Sequence, residues 1–313
     1  MENPLLSVVF SFRNEAEVIP ELVRRLQAAL GPLPLRREFI FVNDSSTDAS
    51  LATLMGLRET TAPEIKIVNL SRRFGVTPGV LAGFHHARGD AVVYMDSDLQ
   101  DPPELIPKLV AEWQNGAHVV HTTRTVRRGE NPAKMALTRA AYRMINNMSD
   151  ITLLENTGDF KLISRRALDE ILKLNEFDPF MRGLVSWVGF KQAQVFYERD
   201  ERFAGETKFS LLRSANPYKE FIRGLTLFSS LPLYFALFAG MLVSILSFLY
   251  LFFAIIASVL WHGSHVQWIA LAMIFLGGTI LFTIGILGIY VGKIHRDIKG
   301  RPNYIVSDTI GFT

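Results

Sequence analysis

Residues 231–291 contain no Lys, Arg, Asp or Glu, and nothing else in this chain of 313 residues restricts its fold as strongly. A helix needs roughly 20 apolar residues to cross a bilayer core. The stretch therefore predicts two spans, about 233–259 and 268–291, joined by Trp261-His-Gly-Ser-His-Val-Gln267. Helices buried in a soluble core are shorter and keep a polar face. Arg213, Lys219 and Arg223 precede the first span and Lys293, Arg296, Lys299 and Arg301 follow the second, while the loop between them has neither Lys nor Arg. Because positive residues stay on the cytoplasmic side, both chain ends are expected in the cytoplasm.

Before the spans, apolar runs alternate with charged amphipathic stretches. Strands are expected at 5–12, 38–42, 65–70, 91–95, 118–124 and 194–197, with a further short one carrying Asp159. Helices fall between most of them, and that rhythm predicts an α/β domain with a mostly parallel sheet covered on both faces. Residues 210–228 interleave Leu211, Leu212, Tyr218, Phe221, Ile222, Leu225 and Phe228 with Arg213, Lys219 and Arg223, as in a helix lying at a membrane surface. The expected organisation is a catalytic domain over 1–209, a juxtamembrane helix over 210–230, two spans over 231–292 and a cytoplasmic tail over 293–313. No signal peptide is read at the start, where Glu2 is acidic and the apolar run is short. The absence of cysteine excludes disulfides, thiolate metal sites and cysteine nucleophiles. With 33 basic and 30 acidic residues the charges nearly balance, and no nucleic-acid partner is expected.

The fourth strand ends in Met95-Asp-Ser-Asp-Leu-Gln-Asp-Pro-Pro-Glu104. In open α/β sheets ligands sit beyond the carboxyl ends of the strands, so Asp96 and Asp98 are candidate ligands for a divalent cation. Every donor available there is oxygen, which suits Mg2+ or Mn2+. His85, His86, His118 and His121 have no metal-ligand spacing and are read as core or surface residues.

Ser7-Val-Val with Asn14-Glu15, Val42-Asn-Asp44, Ser71-Arg-Arg-Phe-Gly75, Ala87-Arg-Gly-Asp90, the Asp96 motif, Thr157-Gly-Asp-Phe160, Arg202-Phe-Ala-Gly-Glu-Thr-Lys208 and the two trailing spans together resemble the polyprenyl-phosphate glycosyltransferases. These are family 2 enzymes of GT-A fold and include dolichol-phosphate mannose synthases and bactoprenol glucosyltransferases of the GtrB type. The resemblance covers nearly the whole chain. It implies transfer of a sugar, with inversion, from a nucleotide-sugar donor to the phosphate of a membrane polyprenol such as undecaprenyl phosphate. It further implies that Ser11, Arg13, Glu15 and Asp44 line the nucleotide pocket, with Gln100 contacting sugar or phosphate. Asp159 is the implied catalytic carboxylate, read as a group that positions the acceptor more than as a proton acceptor, because a phosphate oxygen is already anionic near neutral pH. For the lipid phosphate the resemblance points to Arg124, Arg202, Thr207 and Lys208, near the basic residues Arg127 and Arg128. The implied location is the bacterial plasma membrane, in contact with its lipid, and the implied assembly is a homotetramer with the tail packing on a neighbour.

Two positions depart from the family pattern. Asn43-Asp44-Ser45-Ser46 replaces the usual Asp-Asp-Gly-Ser, and Val76-Thr77-Pro78 replaces Lys-Glu-Ala. UDP-glucose is the expected donor; GDP-mannose, a UDP-N-acetylhexosamine, a UDP-aminoarabinose derivative and a catalytically silent scaffold of the same fold are the alternatives. A processive synthase is disfavoured, since two spans offer little channel and Gln-x-x-Arg-Trp is absent.

Overall fold

The computed structural model describes residues 3–125, 154, 157–174, 176–177, 179–197, 231–261 and 266–312. The expected juxtamembrane helix and most of the basic loop lie outside these residues. In chain order the elements are β1 (Leu5–Phe12), α1 (Ile19–Leu30), β2 (Arg36–Asn43), α2 (Ser50–Thr60), β3 (Ile65–Leu70), α3 (Val76–His86) and β4 (Ala91–Tyr94). A short 3-10 turn (Pro103–Leu105) runs into α4 (Ile106–Gln114), followed by β5 (Val119–Arg124), β6 (Thr157–Ser164), α5 (Arg165–Lys173), α6 (Met181–Trp187) and β7 (Gln192–Tyr197). Two long helices, α7 (Leu231–Trp261) and α8 (Val266–Ile298), precede a last strand, β8 (Val306–Ile310).

The unbroken apolar runs of β1 and β2 arise because both faces of the sheet are covered. Along β1, Leu6, Val8, Phe10 and Phe12 enter one core cluster while Val9 enters the other; along β2, Phe39 and Phe41 face the first and Ile40 and Val42 the second. Side chains alternate across a strand, so each run feeds two cores at once. Phe10 and Phe41 stack across the β1–β2 pair with ring centroids 4.8 Å apart. In α1 the buried residues Ile19, Leu22, Val23, Leu26 and Leu30 recur at helical spacing, with Pro20 at the start where no N–H is needed.

The sheet order is β7-β5-β6-β4-β1-β2-β3-β8. Strands β1, β2, β3 and β4 run parallel, β6 is antiparallel to β4, and β5 is antiparallel to β6 and parallel to β7. The carboxyl ends of β1, β2, β4, β5 and β7 therefore meet the amino end of β6 at one edge of the sheet.

At the opposite end of the strands Glu38 is 2% exposed. It accepts hydrogen bonds from Lys66 Nζ at 2.6 Å, Ser7 Oγ at 2.5 Å and the Arg88 amide at 2.8 Å. Burial pushes its carboxyl up, but these donors outweigh burial and hold it below the ordinary 4.5. A carboxyl depressed in the folded state stabilises the protein above its unfolded value, and that contribution disappears as pH falls through the folded value. Acid unfolding monitored below pH 4.5 is expected to be steeper for the native chain than for Glu38→Gln.

α7 and α8 carry windows of 19 and 24 residues, Pro232–Tyr250 and Phe275–Ile298, with mean hydropathies of 2.1 and 1.9. Only 6% and 0% of those windows are buried, so neither is the core helix of a soluble domain. Phe248 and Leu281 stand 70% and 72% exposed, as lipid-facing side chains do. After α8 the chain returns to the first domain: β8 pairs antiparallel with β3, and Asn69 Nδ2 donates to Asp308 Oδ1 at 2.6 Å. The tail, expected as a separate segment, thus forms the edge strand of the sheet within the single chain.

Candidate active site

The strand directions bring most of the expected site residues together. Ser11 lies near the end of β1, and Arg13 and Glu15 lie just beyond it; Asp44 follows β2, and Asp96, Asp98 and Gln100 follow β4. The β4–β6 register pairs Tyr94 with Lys161, and two residues further along these antiparallel strands Asp159 comes beside Asp96. Arg124 ends β5 opposite Tyr197 at the end of β7. Arg202, Thr207 and Lys208, with Arg127 and Arg128, lie outside the described residues.

Asp159 is gripped by Arg182 of α6 through two hydrogen bonds, Nε to Oδ1 at 2.8 Å and Nη2 to Oδ2 at 2.6 Å. This fork geometry fixes both carboxylate oxygens. Burial would raise the Asp159 carboxyl, but the guanidinium outweighs it and holds the group at about 2. The opposite holds for Asp96, which burial and the neighbouring charges of Asp159, Asp98 and Asp101 push up to about 7.

Arg124 has partners within the protein. Its Nη2 lies 3.4 Å from Asp101 Oδ1 and its Nε donates to the Tyr197 hydroxyl at 3.1 Å, while that hydroxyl donates to Asp101. Asp101 is 1% exposed. Burial and the Asp101 charge push the Tyr197 hydroxyl up to about 12. Gly158 makes room for this triad: a Cβ there would sit 2.8 Å from Arg124 Nη2. The turn that carries Asp96 and Asp98 is anchored at Leu99, which is 1% exposed yet has φ +58. A left-handed backbone at a bulky residue is strained, and the buried side chain holds it in place.

On the nucleotide side, Asp44 receives the Phe74 amide on Oδ1 at 2.6 Å and the Gly75 amide on Oδ2 at 3.0 Å. Its carboxylate therefore shapes the Ser71–Gly75 loop, a structural role beside the expected nucleotide contact. Among the described residues Arg13 Nε is buried without a hydrogen-bond partner, a donor consistent with a ligand contact. Asn14 ties this loop to the next by accepting from the Thr47 amide at 2.8 Å. Ser45 has φ +55, which gives a physical reason for the glycine usual at this position. A left-handed residue other than glycine costs about 1–2 kcal/mol, offset in part by the entropy glycine loses on folding. Ser45→Gly is expected to raise stability by about 0.5–1 kcal/mol, measured by denaturant unfolding.

The site fits a divalent cation held jointly with a ligand. Among the described residues no three His, Asp or Glu side chains converge as a metal cage, so Asp96 and Asp98 would supply oxygen ligands while phosphate oxygens and water fill the rest, as Mg2+ prefers. The raised Asp96 carboxyl marks a place short of positive charge.

A family model described as glycosyl transferase family 2 matches residues 7–172, more than half of the chain. The chain belongs to glycosyltransferase family 2. This family 2 enzyme is 41% identical to the uncharacterized glycosyltransferase YkcC of Bacillus subtilis over 97% of its own length and 94% of that protein. It is 37% identical to the bactoprenol glucosyl transferase of Shigella phage SfII, over 96% of its own length and 97% of the phage protein. Among solved structures, mannosyl-3-phosphoglycerate synthase from Rubrobacter xylanophilus aligns with a TM-score of 0.50 at 16% identity, over 71% of this chain and 72% of that one. That likeness speaks to the fold, which is GT-A.

The glycosyltransferase site also contains groups that sequence reading left unassigned. Asp101 stood inside the Asp96 motif without a role, and Tyr197 closed an expected strand. Arg182 had no assigned role; its contact with Asp159 is made through space, and no local pattern announces it.

Proposed function

We propose that the enzyme transfers glucose from UDP-glucose to the phosphate of a membrane polyprenol, undecaprenyl phosphate, with inversion at the anomeric carbon. The observation that carries this reading is the match to bactoprenol glucosyl transferases along nearly the entire chain, both long helices included. An acceptor phosphate oxygen forms the new bond to C1 while the bond from C1 to the β-phosphate oxygen breaks, and its electron pair leaves with UDP. A divalent cation on Asp96 and Asp98 would neutralise charge growing on the departing pyrophosphate. Asp159, with both oxygens on Arg182, is a fixed anion that orients its surroundings. The acceptor oxygen needs no strong base.

The return of the chain end supports a topology with both termini in the cytoplasm. Phe177 N donates to Asp297 Oδ1 at 3.0 Å and Asn303 Nδ2 to the Glu176 carbonyl at 2.9 Å, so the foot of α8 meets the catalytic domain. Two antiparallel crossings bring the tail back to the side from which α7 leaves. A homotetramer in the bacterial plasma membrane is the assembly implied by the resemblance.

A panel of radiolabelled donors with undecaprenyl phosphate tests the sugar. UDP-glucose is expected to label the lipid faster than GDP-mannose, UDP-N-acetylglucosamine or a UDP-aminoarabinose. Faster labelling from any of the others overturns the assignment of glucose.

A further inference from the structure

On β2, β3 and β8 the neighbouring residues Phe41, Ile67 and Ile310 face one core. Side chains alternate along a strand, so two positions nearer the site the same face carries Asn43, Asn69 and Asp308, which are also neighbours in register. Asn43 and Asn69 are 6% and 8% exposed, and buried amides need partners. Asp308 is exposed at the centre of the edge strand. Asn69 Nδ2 donates to Asp308 Oδ1 at 2.6 Å, Asn43 Nδ2 donates to Asn69 Oδ1 at 3.0 Å, and the Ser46 amide donates to Asn43 Oδ1 at 2.9 Å. Ser46 Oγ in turn accepts from the Asn14 amide at 3.1 Å, between Arg13 and Glu15. A relay of hydrogen bonds thus runs from the tail, beyond both long helices, to the loops after β2 and β1.

An amide can be turned end for end, but a carboxylate only accepts. Asp308 therefore faces Asn69 Nδ2, which leaves Asn69 Oδ1 for Asn43 Nδ2 and Asn43 Oδ1 for the Ser46 N–H. We propose that Asp308 is a positioning residue for the nucleotide: it sets the direction of both amides and so holds the turn from Asn43 to Ser46. The proposal rests on the reading that Asp44 and its loop line the nucleotide pocket. The Asp usual at position 43 would accept from both Ser46 and Asn69, turning Asn69 Oδ1 against Asp308. Asn43 and Asp308 are matched in this sense.

The test titrates UDP and, separately, GDP with Mg2+ into the full chain in lipid nanodiscs by calorimetry. The native protein's choice between them checks the UDP reading, and the variants are compared on the nucleotide it binds. Asp308→Ala is expected to raise Kd about three- to tenfold, the value of a hydrogen bond, and KM for the donor equally, with kcat within about twofold. Thr309→Ala, an exposed change one residue along β8, is expected to leave Kd unchanged. Asn43→Asp is expected to raise Kd about tenfold or more. Adding Asp308→Asn to it is expected to restore Kd to within about twofold, because the amide then at 308 donates to Asn69 Oδ1 while Asn69 Nδ2 donates to the carboxylate at 43. An unchanged Kd in Asp308→Ala overturns the proposal, as does an equal loss in Thr309→Ala, which reduces β8 to an edge strand. A double variant no better than Asn43→Asp overturns it too. If Asn43→Asp fails to fold, Asp308→Ala against Thr309→Ala decides alone. GDP binding in place of UDP with the same dependence on Asp308 upholds the relay and refutes the UDP reading; UDP binding that ignores Asp308 does the reverse.

Discussion

Asp159→Asn is expected to lower transfer by about 10²–10³-fold, because misplacing a reacting group by an ångström already costs about 10²-fold. Arg182 donates to both Asp159 oxygens in a fork; an amide offers one acceptor and one donor, so half of the fork becomes donor against donor. The guanidinium must then turn. UDP binding, measured by calorimetry, is expected to stay within about twofold, since the residues proposed for the nucleotide follow β1 and β2 and nothing there is altered. Folding stability is expected to fall by about 1–2 kcal/mol, between the values for exposed and buried pairs, because the two side chains are 28% and 38% exposed. Loss of turnover with nucleotide binding retained also separates an enzyme from a silent scaffold, which would keep its cellular role.

Asp101→Ala is expected to be the most damaging change to folding. Its carboxylate is 1% exposed, accepts from Tyr197 and faces Arg124, whose side chain is only 15% exposed. Removing one partner of a buried pair leaves the other charge uncompensated and costs about 3–5 kcal/mol. Asp101→Asn is expected to cost less, since the amide oxygen still accepts from the Tyr197 hydroxyl. The turn that presents Asp96 and Asp98 begins five residues earlier and is strained at Leu99, so its geometry is expected to relax when the triad is lost. Denaturant unfolding of both variants measures the first effect. A metal titration of UDP affinity measures the second, as a weakened response to Mg2+ in Asp101→Asn.

The sheet was legible because burial on both faces leaves a mark in the sequence. The run from Leu5 to Phe12 and the run through Phe39, Ile40, Phe41 and Val42 serve two cores at once, so they are apolar throughout. Asp96 and Asp98 were legible because they end such a run. Strand β8 carries no such mark: Val306-Ser-Asp-Thr-Ile310 has exposed positions at its centre. It is a strand only because β3 offers it an open edge. Arg124, expected at the lipid phosphate, is held by Asp101 and Tyr197, which lie 23 and 73 residues away, and no spacing rule reaches them. Ser45 shows the converse case: its departure from glycine was visible in the sequence, and only the backbone angle of +55° explains it.

The most direct test is phosphorus NMR of the purified full chain with UDP-glucose, Mg2+ and undecaprenyl phosphate. The expected result is conversion of the lipid monoester signal to a phosphodiester, one UDP released for each lipid consumed, and a β-linked glucose on the product. UDP release with the lipid monoester unchanged, or no release at all, would contradict transfer of glucose to a lipid phosphate at this site.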